Sequence, residues 1–220
     1  MKQLLIYGQG DFAKLMYHYF TNDSAIKVIG FCVDASFRAS DIFCELPLVD
    51  FEDIQNIYPA HNYDIFIAIG YSKMRNRKMM FEKVKQKGYN CVNFISSKSC
   101  INKTLIMGQN NVIMQNVVIE PFVKIGNNNI IWSSSTICHD TTITSHSFIS
   151  AQSLVGGFVE IKDNCFLGFN STIVQNVHLE EETLLGSKSL LLNNTTKHSA
   201  YVGIPAKKKS THEEEGIMIK

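Results

Sequence analysis

The sequence lacks a strong excess of either charge: 21 Lys and Arg stand against 20 Asp and Glu, a net +1 over 220 residues. That removes the basic face a nucleic-acid binder needs and the acidic tail of a disordered chain. No apolar run approaches the ~20 residues of a membrane span. The opening MKQLLIYGQG has only a five-residue apolar run before glycine, too short for the h-region of a signal peptide. The six cysteines (Cys32, Cys44, Cys91, Cys100, Cys138, Cys165) form no C-x-x-C, which speaks against a disulfide framework or a Cys-rich zinc site. Reduced thiols, several packed in the core of a cytoplasmic protein, are expected.

What is present falls into two halves. Residues 1–94 alternate apolar runs with helical patterns. LLIYG (4–8), KVIGFCVD (27–34), YDIFIAIG (63–70) and CVNFI (91–95) read as strands. Between them, Phe12, Leu15, Met16, Tyr19 and Phe20 fall at helical spacing; Asp50 to Tyr58 reads as a short helix capped by Asp50, and a third helix runs from Ser72 to about Lys87. The order β-α-β-α-β-α-β predicts a small Rossmann-like parallel sheet with helices on its faces.

From residue 95 the period becomes six. Every sixth residue from Ile95 to Leu191, seventeen positions in all, is aliphatic or Met. Two residues before the aliphatic the side chain is mostly small: Ser135, Thr141, Ser147, Ser153, Cys165, Ser171, Thr183, Ser189. This hexapeptide repeat predicts a parallel β-helix over 95–209. Three hexapeptides close each coil, the aliphatics stack inward, and small residues fit the corners. Residues 210–220, with Glu213-Glu214-Glu215 following Lys207-Lys208-Lys209, read as a solvated tail.

Two short stretches carry chemistry. GQGDFA (8–13) is a G-x-G-x-x-A loop between a strand and a helix, and Asp34 ends the next strand near the distance usual for ribose recognition. About ninety residues make only half of a dinucleotide fold, which disfavours NAD. In STICHDTTIT (135–144), His139 and Asp140 follow the inward Ile137 and leave the core at a turn. Neutral imidazole is a suitable base near pH 7, and a carboxylate beside it orients the ring and stabilises the imidazolium. Cys138 is a poor nucleophile for this His, because adjacent residues on an extended chain point to opposite sides.

A small sheet domain, a run of hexapeptides, His139-Asp140 and the closing YVGIPAKKK (201–209) together resemble the NeuD/PglD-type sugar acyltransferases. The resemblance covers residues 1 to about 209. It implies a left-handed β-helix, acetyl-CoA as acyl donor, no metal, and a homotrimer with active sites between subunits. It also implies N-acetylation of a nucleotide-linked amino (amino-dideoxy) sugar for bacterial surface glycans such as O-antigen. His139 would be the general base and Asp140 its partner.

By the same resemblance, acetyl-CoA would meet Phe148, Phe169, Gly186, Ser187, Lys188, Ile204, Pro205 and Lys207. The nucleotide-sugar would meet Gly8, Gly10, Asp11, Phe12, Asp34, Gly70 and Tyr71, with Gly10 a candidate for φ > 0. The chain departs from its relatives in two places. Phe148 stands nine residues after His139, where many relatives carry a second histidine, and Phe12 stands where some carry His. His146 is off that motif and reads as a surface turn residue. Three rivals remain in view: an O-acetyltransferase of sialic-acid type, or one moving a longer acyl group; a γ-carbonic anhydrase-like metalloenzyme, for which His139, His146 and His178 lack an evident spacing; and a non-catalytic sugar-nucleotide scaffold.

Overall fold

In a computed structural model, residues 3–219 are described. The chain divides into two compact units, residues 1–70 with 79–94, and residues 71–78 with 95–220.

The first unit is built on β1 (Gln3–Tyr7), α1 (Asp11–Asn22), β2 (Val28–Val33), β3 (Ile42–Phe43), β4 (Leu46–Asp50), α2 (Ile54–Ile57), β5 (Tyr63–Ile67) and the later part of α3 (Met74–Gln86). Sheet order is β3-β4-β2-β1-β5, parallel except for the β3–β4 hairpin. β1, β2 and β5 hold fully buried apolar residues such as Leu5, Phe31 and Ile65, so they form the central strands.

Two expectations give way here. Asp50 ends a strand and caps nothing; α2 begins only at Ile54. LPLVD extends because Cys44 and Glu45, both at positive φ, turn the chain back through a tight hairpin. The expected fourth strand at 91–95 is a single bridge from Cys91 to Ile65. Its end, Phe94–Ile95, pairs instead within the repeats, because Ile95 is already on the six-residue register.

The second unit is a left-handed parallel β-helix. Seventeen two-residue strands, β6 (Phe94–Ile95) to β22 (Leu190–Leu191), each end on one of the register aliphatics. They stack at a separation of 18 residues into three parallel sheets: Ile119 on Ile137 on Val155, Ile125 on Ile143 on Ile161, Ile131 on Ile149 on Leu167. From Ile113 onward these side chains are nearly or fully buried, and each such burial stabilises by roughly 1.5–3 kcal/mol. Ile95 remains 40% exposed because the first coil has a neighbour on one side only.

The corners explain the small and polar residues. Buried hydroxyls bond carbonyls of the next coil, as Ser135 Oγ does to Ser150 O at 3.0 Å and Thr141 Oγ1 to Gly156 O at 2.8 Å. Every sixth residue from Asn110 to Lys188 takes positive φ. Asn and Asp tolerate that conformation best among non-glycine residues, which gives Asp140, at φ 59, a backbone reason to be there as well as a chemical one.

The carboxyl-terminal segment is not a solvated tail. After β23 (Ser199–Gly203), strand β24 (Ala206–Thr211) folds back antiparallel, Ile217 is 1% exposed, and Met218 bridges to Lys73. Arg75 holds the turn: its guanidinium makes two bonds to Glu182, at 2.6 and 2.8 Å, and donates to the carbonyls of Glu213 and Glu214. The apolar Ile217 overrides the charge pattern around it. Among the described residues no helix is long and apolar enough to cross a membrane.

Candidate active site

His139 sits on the corner that leads from the Ile137 face of the helix to the Ile143 face. Its side chain is 48% exposed, and Nδ1 lies 3.0 Å from Asp140 Oδ2. With Nδ1–H donating to the carboxylate, Nε2 keeps its lone pair for a proton. Three further residues surround His139. The Glu120 carboxylate accepts the backbone N–H of His139 at 2.8 Å. Phe158 meets the ring edge-on at 5.2 Å between centroids. Gly157 lies beneath it: a Cβ there would come within 2.8 Å of Cε1 and 2.9 Å of Nε2.

None of these three was read from the sequence. The coil period of 18 would have found them, since Gly157 stands 18 after His139, and Glu120 and Phe158 stand 19 before and 19 after it. The Cys138 thiol is pushed above its ordinary range by burial and by the adjacent Glu120 carboxylate, which disfavours a thiolate there.

The residues expected to meet acetyl-CoA divide. Phe169, 57% exposed, lies at the corner between the Ile149 and Ile137 faces. Ser187 and Lys188 stand exposed one coil on, with Lys188 N–H donating to Phe169 O at 2.8 Å. Gly186 is held against β23: its N–H donates to Tyr201 O at 2.8 Å, and a Cβ there would meet Val202 at 2.7 Å. Ile204, 73% exposed, and Pro205 form the tip of the β23–β24 hairpin, and Lys207 follows, exposed. Phe169 and Lys188 are thus neighbours along one corner strip, and Gly186 ties that coil to β23, the strand that leads to Ile204, Pro205 and Lys207.

Phe148 does not join them. It is 5% exposed, stacked on Phe166 at 5.4 Å and 11° and covered by Tyr71 at 4.6 Å. His139 and the Phe169 strip occupy different corners of the same helix, on either side of the Ile137 face.

The third corner carries Asn128, His146 and Glu182. His146 is not a surface residue: it is 6% exposed, its ring Nδ1 lies 3.0 Å from Asn128 Nδ2, and burial holds its pKa down at about 4. Arg77, 1% exposed, donates to the Asn128 carbonyl. His178, 50% exposed, pairs with Glu160 at 3.1 Å. Among the described residues no group of three or more His, Cys, Asp or Glu is placed to hold a metal ion.

In the first unit the glycine loop follows β1. Gly8, at φ 133, packs where a Cβ would meet Ala68 O at 3.0 Å. Gly10 needs no positive φ; it caps α1 at φ −91 with open space around it, and Asp11 and Phe12 open the helix. Asp34 Oδ1 accepts from the Tyr7 hydroxyl at 2.6 Å and from Lys83 at 2.5 Å, so one of its oxygens is already engaged. Gly70, after β5, has open space where a Cβ would be. Tyr71 belongs to the second unit and packs on Phe148 and Phe166 there.

The half-Rossmann sheet and the hexapeptide helix define a class: two-unit, hexapeptide-repeat proteins with a corner histidine. Residues 3–84 match the PglD N-terminal domain model, and residues 90–202, just over half the chain, match the GMPPB C-terminal domain model. By its repeats the chain belongs to the GMPPB C-terminal domain family, and with its N-terminal half it is of the NeuD/PglD type.

Solved structures agree in fold. A histidine-to-alanine variant of GDP-perosamine N-acetyltransferase from Caulobacter crescentus, in complex with CoA and GDP-perosamine, superposes at TM-score 0.85 with 21% identity, over 96% of this chain and 98% of that one. The acetyltransferase domain of PglB from Neisseria gonorrhoeae, in complex with acetyl coenzyme A, gives 0.84 at 17% identity, over 94% and 99%. WeeI from Acinetobacter baumannii gives 0.62 at 14%, over 95% and 100%. No curated protein sequence matches significantly.

Proposed function

We propose that the protein is an acetyl-CoA-dependent N-acetyltransferase acting on a nucleotide-linked amino-dideoxy sugar, with His139 as general base. The observation that carries this reading is the His139–Asp140 pair on an exposed corner, with Nε2 left accessible by the missing Cβ of Gly157. The sugar amine attacks the thioester carbonyl, Nε2 takes the amine proton, and the collapsing intermediate releases the thiol with that proton. Asp140 holds the tautomer and stabilises the imidazolium. The acetyltransferases named above, which share the fold, support the reaction class.

Phe122 and Phe158, 60% and 53% exposed, stand one coil either side of Asp140. They offer an apolar wall suited to a sugar that has lost hydroxyls, which favours the amino-dideoxy acceptor over the polyhydroxylated sialic-acid one. Coenzyme is assigned to Phe169, Gly186, Ser187, Lys188, Ile204, Pro205 and Lys207, and the nucleotide to the loop Gly8–Phe12 with Asp34 and Gly70. Because the base and the coenzyme strip lie on different corners, one chain does not bring them together. A homotrimer would, by setting one chain's His139 corner against its neighbour's Phe169 corner.

The test is an acceptor panel: UDP-, dTDP- and GDP-linked amino sugars, the matching hydroxyl sugars and sialic acid, each with acetyl-CoA and read by mass spectrometry. A 42 Da gain (roughly one acetyl for one proton, the product of acyl transfer) on an amino sugar supports the reading. Acetylation of hydroxyls alone would replace it with O-acetyl transfer.

A further inference from the structure

The first turn of a helix leaves N–H groups that must find partners outside it. In α3 the N–H of Met74 finds one at the far end of the chain, donating to Ile217 O at 3.2 Å. The same carboxyl-terminal segment meets residues 71–78 at three more places. Ile219 N–H donates to Ser72 O at 3.0 Å, Lys73 and Met218 form an antiparallel bridge, and Arg75 donates to the carbonyls of Glu213 and Glu214, both at 2.8 Å. Arg75 is held in turn by both oxygens of Glu182.

Two backbone positions are given over to this arrangement. Gly216 takes φ 69, and a Cβ there would come within 2.7 Å of Arg75 Nε, so glycine suits both the turn and the close approach. Glu182, 3% exposed, takes φ 53 at the corner where earlier coils carry Asn110, Asn128, His146 and Asn164. Asn adopts that conformation more readily than Glu. The Glu182 carboxylate offsets the difference by binding Arg75 and by lying 2.9 Å from His198 Nδ1.

We propose that residues 213–219 are a strap that pins residues 71–78 to the β-helix and thereby prepares the enzyme for its acceptor. Residues 71–78 follow directly on Gly70, assigned above to the nucleotide, and Tyr71 is already packed on Phe148 and Phe166. With the strap in place, the chain leaving Gly70 is fixed in advance. Without it, acceptor binding must also order that chain, and affinity falls by the cost of doing so. The strap is a positioning element and takes no part in the chemistry at His139. Its effect on the acceptor rests on the proposed function; the pinning of 71–78 does not.

The experiment compares wild type with Gly216→Val in the full chain and with a chain ending at His212. His212 is kept because its Nε2 lies 2.8 Å from Glu182 O. Amide hydrogen exchange, acetyl-CoA affinity and acceptor kinetics are measured on each. Exchange over residues 72–78 should be at least about tenfold faster in both variants, as local opening becomes easier, and unchanged over the coils from Ile113 to Leu191. Acceptor KM should rise at least about fivefold, with a smaller change in kcat and acetyl-CoA affinity within about threefold of wild type. Unchanged exchange over 72–78 in both variants would show that there is no strap. Faster exchange with an unchanged acceptor KM would leave the pinning and overturn its role in acceptor binding. If wild type acetylates no nucleotide-linked amino sugar, the proposed function fails with the acceptor role, and the exchange data still decide whether the strap exists.

Discussion

At the scale of single residues, the imidazole of His139 is defined as much by what lacks a side chain as by what has one. Gly157 leaves room that a methyl group would fill, 2.8–2.9 Å from Cε1 and Nε2. His139 is half-exposed, so in Gly157→Ala the ring can swing aside at little cost in stability. We predict that this variant keeps its thermal midpoint within a few degrees, as expected for a change that disturbs no packed core, and loses at least about tenfold in kcat, because Nε2 no longer points where the acceptor binds. Kinetics beside a melting curve checks it; unchanged kcat would mean that the ring position is not critical. Asp140→Asn is the gentler change. Asn accepts the positive φ of that corner, so the backbone stays and only the charge on Nδ1–H goes. A loss smaller than that of removing the base is expected in kcat, since the imidazole remains and only the charge of its orienting partner is gone. A loss as large as that of His139→Ala would mean that Asp140 does more than orient the ring.

At the scale of elements, the corner of the β-helix that carries Asn128, His146 and Glu182 is buried and polar. Burial holds the His146 imidazole neutral, with a pKa of about 4, against partial opposition from Asp163 and with help from Arg77 and Lys78. An unfolded histidine takes up its proton near pH 6.5. Stability from the neutral form is therefore fully present above about 6.5 and is lost as pH falls toward 4, by up to about 1.4 kcal/mol per pH unit. His146→Asn suits the positive φ and extends the run of Asn110, Asn128 and Asn164. We predict that urea denaturation between pH 7 and 4.5 shows a shallower decline for this variant than for wild type. Equal slopes would show that His146 does not set the acid sensitivity.

The same corner shows what the sequence could convey. The six-residue period placed every inward aliphatic correctly, because a repeated core leaves a repeated pattern. His139 stands out in the sequence because it departs from that pattern at a turn, and its placement on an exposed corner beside Asp140 follows from the same register. His146 and Phe148 were misjudged because what covers them comes from the segment 71–78, distant in sequence. A period describes what a repeat does to itself and says nothing of what packs against it. The end of the chain failed for the same reason: charges dominate its composition, yet Ile217 and the Arg75 contacts decide its fate. In the first unit, the turn at Cys44–Glu45 made a hairpin that no apolar period announced, and Asp50 was drawn into a strand.

At the scale of the whole molecule, the account requires two chains for one site, since His139 and the Phe169 strip stand on separate corners. A mixture of His139→Ala protein and a Lys188→Glu, Lys207→Glu variant, each inactive alone, should regain activity after subunits are exchanged. Some interfaces would then combine an intact base with an intact coenzyme strip. No recovery in verified mixed oligomers would mean that both groups act from one chain.

The most direct test remains the turnover of His139→Ala on whichever acceptor the wild type acetylates, with assembly and acetyl-CoA affinity measured on the same sample. The account predicts intact assembly, unchanged coenzyme binding and a kcat at least about a hundredfold lower, the low end for loss of a general base. Turnover near that of wild type would remove His139 from the chemistry and contradict the central claim.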